Sequence, residues 1–314
     1  MIRPFGLQDA PRVRSLQTRG ALFDLRRHLL GSPDPTYAAM AGLVSGYRIG
    51  ARTLVSATAD GLDAFVQAFP DECGVGWEVT HISPALDQDE RASALWQDLL
   101  GAAVSAAAAQ RIPRLCARVP QEDAVVQTLR RCGFAMLGCE EVFVCHGRHA
   151  EAPLPAGLRP VQEQDAFALG QFRRRVMPPL LYQARWSGME EACLSGPDAA
   201  RGMVWVEEGT IVAHLTLQSA RRGHWLECTV LPERRGDLLP YLRYVLYLAD
   251  RAGAVPVYAV VPDYTAGVAW LLRMLGFESI ARQEVLVAHT VSRVTVNRPA
   301  MVSAIERGAD AVIH

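Results

Sequence analysis

The sequence predicts an α/β protein made of two tandem domains, each a central mixed β-sheet with helices on both faces. Three observations carry this. The chain repeats itself, each half reads in the order β-α-α-β-β-β-α-β-α-β-β, and residues 225–248 run as a strand, a turn and a helix in direct succession.

The repeat is read from ordered matches. Arg3-Pro4-Phe5-Gly6-Leu7-Gln8-Asp9-Ala10 returns as Arg159-Pro160-Val161-Gln162-Glu163-Gln164-Asp165-Ala166. Gly133-Phe134 followed by Glu141-Val142-Phe143-Val144-Cys145-His146 returns as Gly276-Phe277 followed by Glu284-Val285-Leu286-Val287-Ala288-His289. Between them, Gly61 and Gly209, Trp77 and Trp225, and Pro84 and Pro232 keep one offset. A period this long is a duplicated domain, not a solenoid. The expected division is 1–146, a Pro- and Gly-containing linker 147–157, 158–290, and a tail 291–314 without counterpart, in which 291–296 reads as a strand and 301–305 as a short helix.

Each half opens on a short strand, 1–5 or 158–161, and Asp9 or Asp165 stands where an N-cap would start a helix. A helix-rich stretch follows, to about 45 and about 194. Strands 53–57 and 64–69, and 203–206 and 211–218, flank Asp60-Gly61 and Glu208-Gly209, pairs suited to tight hairpins. A third strand (77–82, 225–230) leads through Pro84 or Pro232 into a long helix (92–110, 238–251). Then come a strand (114–119, 256–261), a helix (124–131, 266–275) and a closing strand pair after Gly-Phe.

Half the residues are hydrophobic, 21% are charged and the net charge is −1. This is a soluble globular composition without the positive charge that nucleic acid or an acidic membrane would need. All basic side chains but the histidines are arginine. The seven cysteines contain no C-x-x-C pair, which argues for reduced, buried thiols in a cytoplasmic protein with no disulfide framework and no metal site. Met1-Ile2-Arg3-Pro4 does not read as a signal peptide, and the weakly polar run 99–109 is too short to span a bilayer. The spacing Gly42-x3-Gly46-x3-Gly50 encloses Arg48 and reads as a loop or a close backbone contact rather than a membrane helix.

The turn Pro232-Glu233-Arg234-Arg235-Gly236 leading into a helix is a place to hold an anion, because the first amides of a helix have no internal partner and its dipole favours negative charge. With the order of elements and the signatures Leu129 to Phe134 and Leu272 to Phe277, this stretch makes both halves resemble a GNAT acyltransferase. The resemblance implies acetyl-CoA as cofactor, with its pyrophosphate on the amides of a Q/R-x-x-G-x-G/A loop and the acyl carbonyl on backbone amides at a splay beside the third hairpin strand. The first half has Arg91-Ala92-Ser93-Ala94-Leu95-Trp96 at that loop. The second keeps Arg-Arg-Gly but loses the later glycines and carries Pro240. The second half is therefore the expected cofactor half, through Val230, Arg234, Arg235, Gly236, Asp237 and Leu238.

For the chemistry, the resemblance implies a carboxylate or water as base toward an amine of a small molecule or peptide, and a tyrosine that protonates the thiolate. The position of that tyrosine is Leu129 or Leu272 here, so Tyr264 and Tyr241 are candidate substitutes, though each reads first as a packed surface tyrosine. Glu227 is the candidate base, with Glu78 on the matching strand; either reads also as a solvent-facing strand carboxylate. His214 is a further candidate, against a satisfied core histidine. His146 and His289 match in position and read as structural. Arg173-Arg174-Arg175 reads as a solvated face or as a greeting for an acidic group, and Trp186, Trp205, Trp225, Trp270 and Tyr182 as pocket lining or core. Two functions compete: an acyl-CoA-dependent N-acyltransferase, and a non-catalytic protein that has lost CoA and binds a ligand or partner.

Overall fold

A computed structural model describes residues 1–31, 34–58, 61–71, 75–186, 202–253 and 255–290. The first half contains β1 (Ile2–Pro4), α1 (Ala10–Leu16), β2 (Ala21–Leu22), α2 (Leu25–Leu30), α3 (Pro35–Val44), β3 (Arg52–Thr58), β4 (Gly61–Pro70), β5 (Trp77–Ser83), α4 (Ala92–Ala109), β6 (Arg114–Pro120), α5 (Asp123–Arg131) and β7 (Ala135–Cys145). The second contains β8 (Leu158–Pro160), α6 (Ala166–Val176), α7 (Pro179–Trp186), β9 (Gly202–Glu207), β10 (Thr210–Ala220), β11 (Gly223–Val230), α8 (Leu239–Ala252), β12 (Val257–Pro262), α9 (Gly267–Met274) and β13 (Glu278–His289). The tail expected to form a strand and a short helix lies outside the described residues, as do Asp60, Cys73 and Cys193.

The duplication is visible in atomic detail at the start of each half. Arg3 grips Asp9 through Nη1 and Nη2 at 2.6 and 2.7 Å, and Arg159 grips Asp165 at the same two distances. Each carboxylate also accepts a backbone N–H at 2.8 Å, from Gly6 or Gln162. Both aspartates do stand at a helix N-cap, but their side chains do not cap that helix; they close the preceding 3-10 turn by accepting from its own N-cap residue, Gly6 or Gln162. The carboxylate turns back to the preceding strand instead, and the guanidinium, with the bonds it donates, holds its pKa below the usual value.

The two halves share one sheet, in the order β1-β3-β4-β5-β6-β13-β7-β12-β11-β10-β9-β8. The closing hairpin expected in each half is a single long strand, and these two strands are exchanged. β13 pairs antiparallel with β6 of the first half, and β7 pairs with β12 of the second. β7 and β13 also pair with each other, and Glu140 lies opposite Gln283, its own counterpart at the offset that relates Gly133 to Gly276. A local twofold axis therefore runs through this pair. An exchanged strand makes the same ladder bonds as a hairpin, and its side chains follow it. Phe143 and Cys145 belong to the core of the second half, and Leu286 and Ala288 to that of the first.

Local turn chemistry sets the remaining geometry. Glu208 and Gly209 take φ of +48° and +76°, the doubly left-handed turn that matches strand twist in a two-residue hairpin between β9 and β10. α8 and α9 lay their apolar faces (Leu242, Val245, Leu246 and Val268, Leu271, Leu272) on β10, β11 and β12.

Candidate active site

In each half the third hairpin strand pairs in parallel with the strand that follows the long helix, and the pairing stops early. β5 is bonded to β6 from Trp77 to Val79, and β11 to β12 from His224 to Glu227. Both strands continue past the last pair while their partners turn away, which opens a splay. The last paired residues, Val79 and Glu227, are equivalent at the offset that relates Trp77 to Trp225. The structure thus puts Glu227 at the vertex of the second splay and an apolar valine at the vertex of the first.

The first splay is closed by the chain itself. β2 pairs antiparallel with β5, Ala21 opposite Ile82 and Leu22 opposite His81. β4 already holds the other edge of β5 at those residues, so β2 lies on the edge that β6 has vacated. Phe23 donates its N–H to Thr80 O at 3.0 Å, and Ala85 donates to Arg19 O at 2.7 Å. Phe23 meets Trp96 edge to face with ring centroids 5.5 Å apart, and Trp96, fully buried, donates its indole N–H to Pro84 O at 2.7 Å. The bulky residue at a loop position where the resemblance implies glycine is thus the lid of a filled cleft. Arg91, beside it, is exposed and paired with Asp89.

In the second half no described segment pairs with β11 on the β12 side beyond Glu227, while β10 occupies the other edge as far as Val230. Val230 and Leu238 are fully buried and can offer only main chain. Between them Pro232–Leu238 winds as a 3-10 helix that runs into α8. Such a turn closes each amide on the carbonyl three residues back, so the first amides of α8 are not bare as the sequence suggests. Arg234 lies over the Trp205 ring, 5.2 Å from its centroid, and pairs with Glu207 and, at 3.4 Å, with Asp237. Arg235 donates from Nη2 to Tyr264 O at 2.8 Å, and its Nε is buried without a partner. Gly236 has ordinary φ and open space where a side chain would stand.

Glu227 accepts the indole N–H of Trp225 at 2.9 Å and faces Arg26 Nη1 of the first half at 3.6 Å. Glu78, the other strand carboxylate, is not its counterpart. It is bound by Arg118, which also reaches Glu140 at 3.2 Å. Burial works against the charge of Arg118, but Glu78, Glu140, Asp24 and Glu227 outweigh it and hold its pKa well above the usual value. Tyr264 sits in the turn after β12 and packs against two clusters, one of Leu169, Phe172, Val176, Val204, Ile211 and Leu231 and one of Met177, Leu181 and Tyr182. Arg235 ties this turn to the loop, so the structure brings Tyr264 and Arg235 together at the far end of the splay from the vertex.

Other candidates resolve into structural roles. Tyr241 stacks on Trp205 at 4.1 Å and donates its hydroxyl to Ala156 O, pinning the linker to α8. His214 has its pKa pushed down to about 3, by burial first and by Arg173 second, which makes it a weak base. The arginine run splits. Arg174 donates to Tyr182 Oη at 3.0 Å, Arg175 pairs with Glu233 on the surface, and Arg173 is half-buried, with desolvation lowering its pKa to about 10. The aromatic set forms no common lining. Trp205 is core, Trp270 is exposed and the Trp186 side chain lies outside the described residues. Burial raises the Cys228 thiol to about 12, so it is inert. Among the described residues no group of His, Cys, Asp or Glu could hold a metal, and no helix is long and apolar enough to cross a membrane.

No family model matches the chain, and no curated protein matches it in sequence. Solved structures do match. A GCN5-related N-acetyltransferase from Sphaerobacter thermophilus superposes with a TM-score of 0.60 over 93% of this chain and 96% of that one, at 17% identity. A tandem GNAT protein from the clavulanic acid biosynthesis pathway, without AcCoA, superposes with a TM-score of 0.52 over 93% and 99%, at 14% identity. The fold is that of a tandem GNAT protein. At such identities the likeness speaks for the fold alone.

Proposed function

We propose that this protein is a cytoplasmic N-acyltransferase that moves an acyl group, most simply acetyl from acetyl-CoA, to an amine of a small molecule or peptide, and that only the second half does so. The observation that carries this is the contrast between the splays: one filled by β2, the other, among the described residues, unpaired on β11 with a carboxylate at its vertex. In this reading the main chain of β11 after Glu227, through Val230, aligns the thioester. The loop residues Arg234, Arg235, Gly236, Asp237 and Leu238 face the phosphates. The amine nitrogen attacks the thioester carbon, the C–S bond breaks, Glu227 takes the proton of the new amide nitrogen, and Tyr264 protonates the departing thiolate.

A second reading has its own support. The 3-10 winding of Pro232–Leu238 keeps the loop amides engaged, and Gly236 is not needed by the fold, which suits a protein that binds a ligand in the splay without turnover. Thermal shift with acetyl-CoA and CoA, followed by thiol release with a panel of amines, separates the two. Ligand at 100 times its dissociation constant should stabilise the fold by about 2.7 kcal/mol. Stabilisation with thiol release supports the transferase. Stabilisation without it for any amine supports the second reading, and no shift at millimolar CoA removes the transferase.

A further inference from the structure

The element that fills the first splay continues into the second half. β2 ends at Leu22, Phe23 closes on Thr80, and Asp24 begins α2 by accepting Arg27 N–H at 2.9 Å. α2 is a helix of six residues with none buried. So short and exposed a helix is not held by its own core, and its position is set at its ends. At one end is the β2–β5 pairing. Along its body it lies against β11, and after Leu30 the left-handed Gly31 (φ +90°) packs where a side chain would stand 2.9 Å from Arg222 Cδ, at the turn between β10 and β11.

Arg26 is the residue this arrangement delivers. Its Nε donates to Gln218 Oε1 on β10 at 2.9 Å, and its Nη1 stands 3.6 Å from Glu227 Oε1 on β11. The indole of Trp225 donates to the same oxygen. One oxygen of the carboxylate is thus gripped from two directions, by an indole on its own strand and by a guanidinium from the other half. Arg118, Arg173 and His214 also interact with it electrostatically.

We infer that Arg26 is a positioning residue for Glu227, and that the first half, having closed its own splay with β2, serves the second by carrying α2 across to it. The inference rests on the transferase reading for the role of Glu227. A side chain at the vertex is useful only in one orientation toward the acceptor amine, and a long carboxylate that is over a third exposed needs an external hold to keep it.

The test uses the whole chain and needs no acceptor. The indole ¹H–¹⁵N resonance of Trp225, assigned by its loss in Trp225→Phe, reports where the Glu227 carboxylate sits. In Arg26→Met that resonance should move by several linewidths or broaden, and in Arg26→Lys it should return most of the way. Gln218→Ala, which removes the bonds of Arg26 to Gln218 and leaves its approach to Glu227, should move it less. An unmoved resonance in Arg26→Met overturns the inference, as does equal displacement in the Met and Lys variants, which would make Arg26 mere packing. The companion thermal shift with CoA keeps the two claims apart. A Trp225 resonance that depends on Arg26 in a protein that CoA does not stabilise leaves the hold on Glu227 standing and removes acyl transfer.

Discussion

The two splays stand at equivalent places in the two halves and differ in everything except the strand that frames them. In the first half, residues 81 and 82 are paired on both edges, Val79 holds the vertex, and Phe23 and Trp96 pack the interior. In the second, β11 is bonded past its vertex only to β10 among the described residues, and the vertex is Glu227. A splay left without a ligand exposes backbone donors and acceptors together with apolar strand faces, which is costly. The first half meets that cost with its own chain, and a cleft so filled is worth more to stability than to binding.

Breaking the filled splay should have the largest effect. Phe23→Ala and Trp96→Ala each remove a fully buried ring and should cost about 3–5 kcal/mol in denaturant unfolding. Tyr244→Ala, at the corresponding place in the second half where the ring is only partly buried, should cost no more than about half as much. Equal losses would mean that the two clefts are packed alike. Hydrogen exchange sharpens the point, since the Phe23 amide, bonded to Thr80, should exchange as slowly as core strand amides and should not speed up when CoA is added.

His81 gives the first half a pH dependence of its own. Its ring stacks on Phe65 at 5.3 Å, both nitrogens are buried without partners, and burial lowers its pKa to about 4. With the folded pKa below the usual 6.5, the unfolded chain takes up its proton first as pH falls. The stability contribution is whole above about pH 6.5 and is lost progressively down to about pH 4, by about 3 kcal/mol. His81→Leu should remove that portion of the pH dependence, measured by urea unfolding at a series of pH values. His214 in the second half, titrating near 3, should continue the decline in both proteins.

The smallest effect falls where the halves are most alike. Arg3→Ala and Arg159→Ala should each cost about 0.5–1 kcal/mol after screening of their partly exposed guanidinium groups, and the two values should agree within error. A clear difference would show that the same corner carries unequal load in the two copies.

Much of this comparison could be read from residues. The strand–turn–helix at 225–248, the fixed offset of Trp77 and Pro84, and the hairpin at Glu208-Gly209 all stand where the sequence puts them, with helix and strand ends within a residue or two. The glycine spacing at 42–50 is the close backbone contact expected, with Gly42 in α3 packed on the main chain of Ala51. What could not be read has a physical reason in each case. β2 is two residues long and has no periodicity to betray it. The exchange of β7 and β13 leaves no trace because a strand from either copy offers the same apolar alternation to the same neighbours. The 3-10 winding of the loop runs between Leu231 and Leu238, which are buried in two different clusters, a tertiary fact. Glu78 and Glu227 lie on matching strands, but the offset of Trp77 to Trp225 makes Val79 the equivalent of Glu227, and only the strand pairing shows that both stand where the parallel ladder ends.

The central claim is that the chain has one cofactor site and that it lies in the second half, and the stoichiometry of CoA binding by isothermal titration tests it most directly. The account predicts one equivalent per chain, abolished by Gly236→Trp, which the open space at Gly236 should admit without unfolding, and retained in Arg91→Ala. Two equivalents, or a single one that survives Gly236→Trp and disappears with Arg91→Ala, would contradict it.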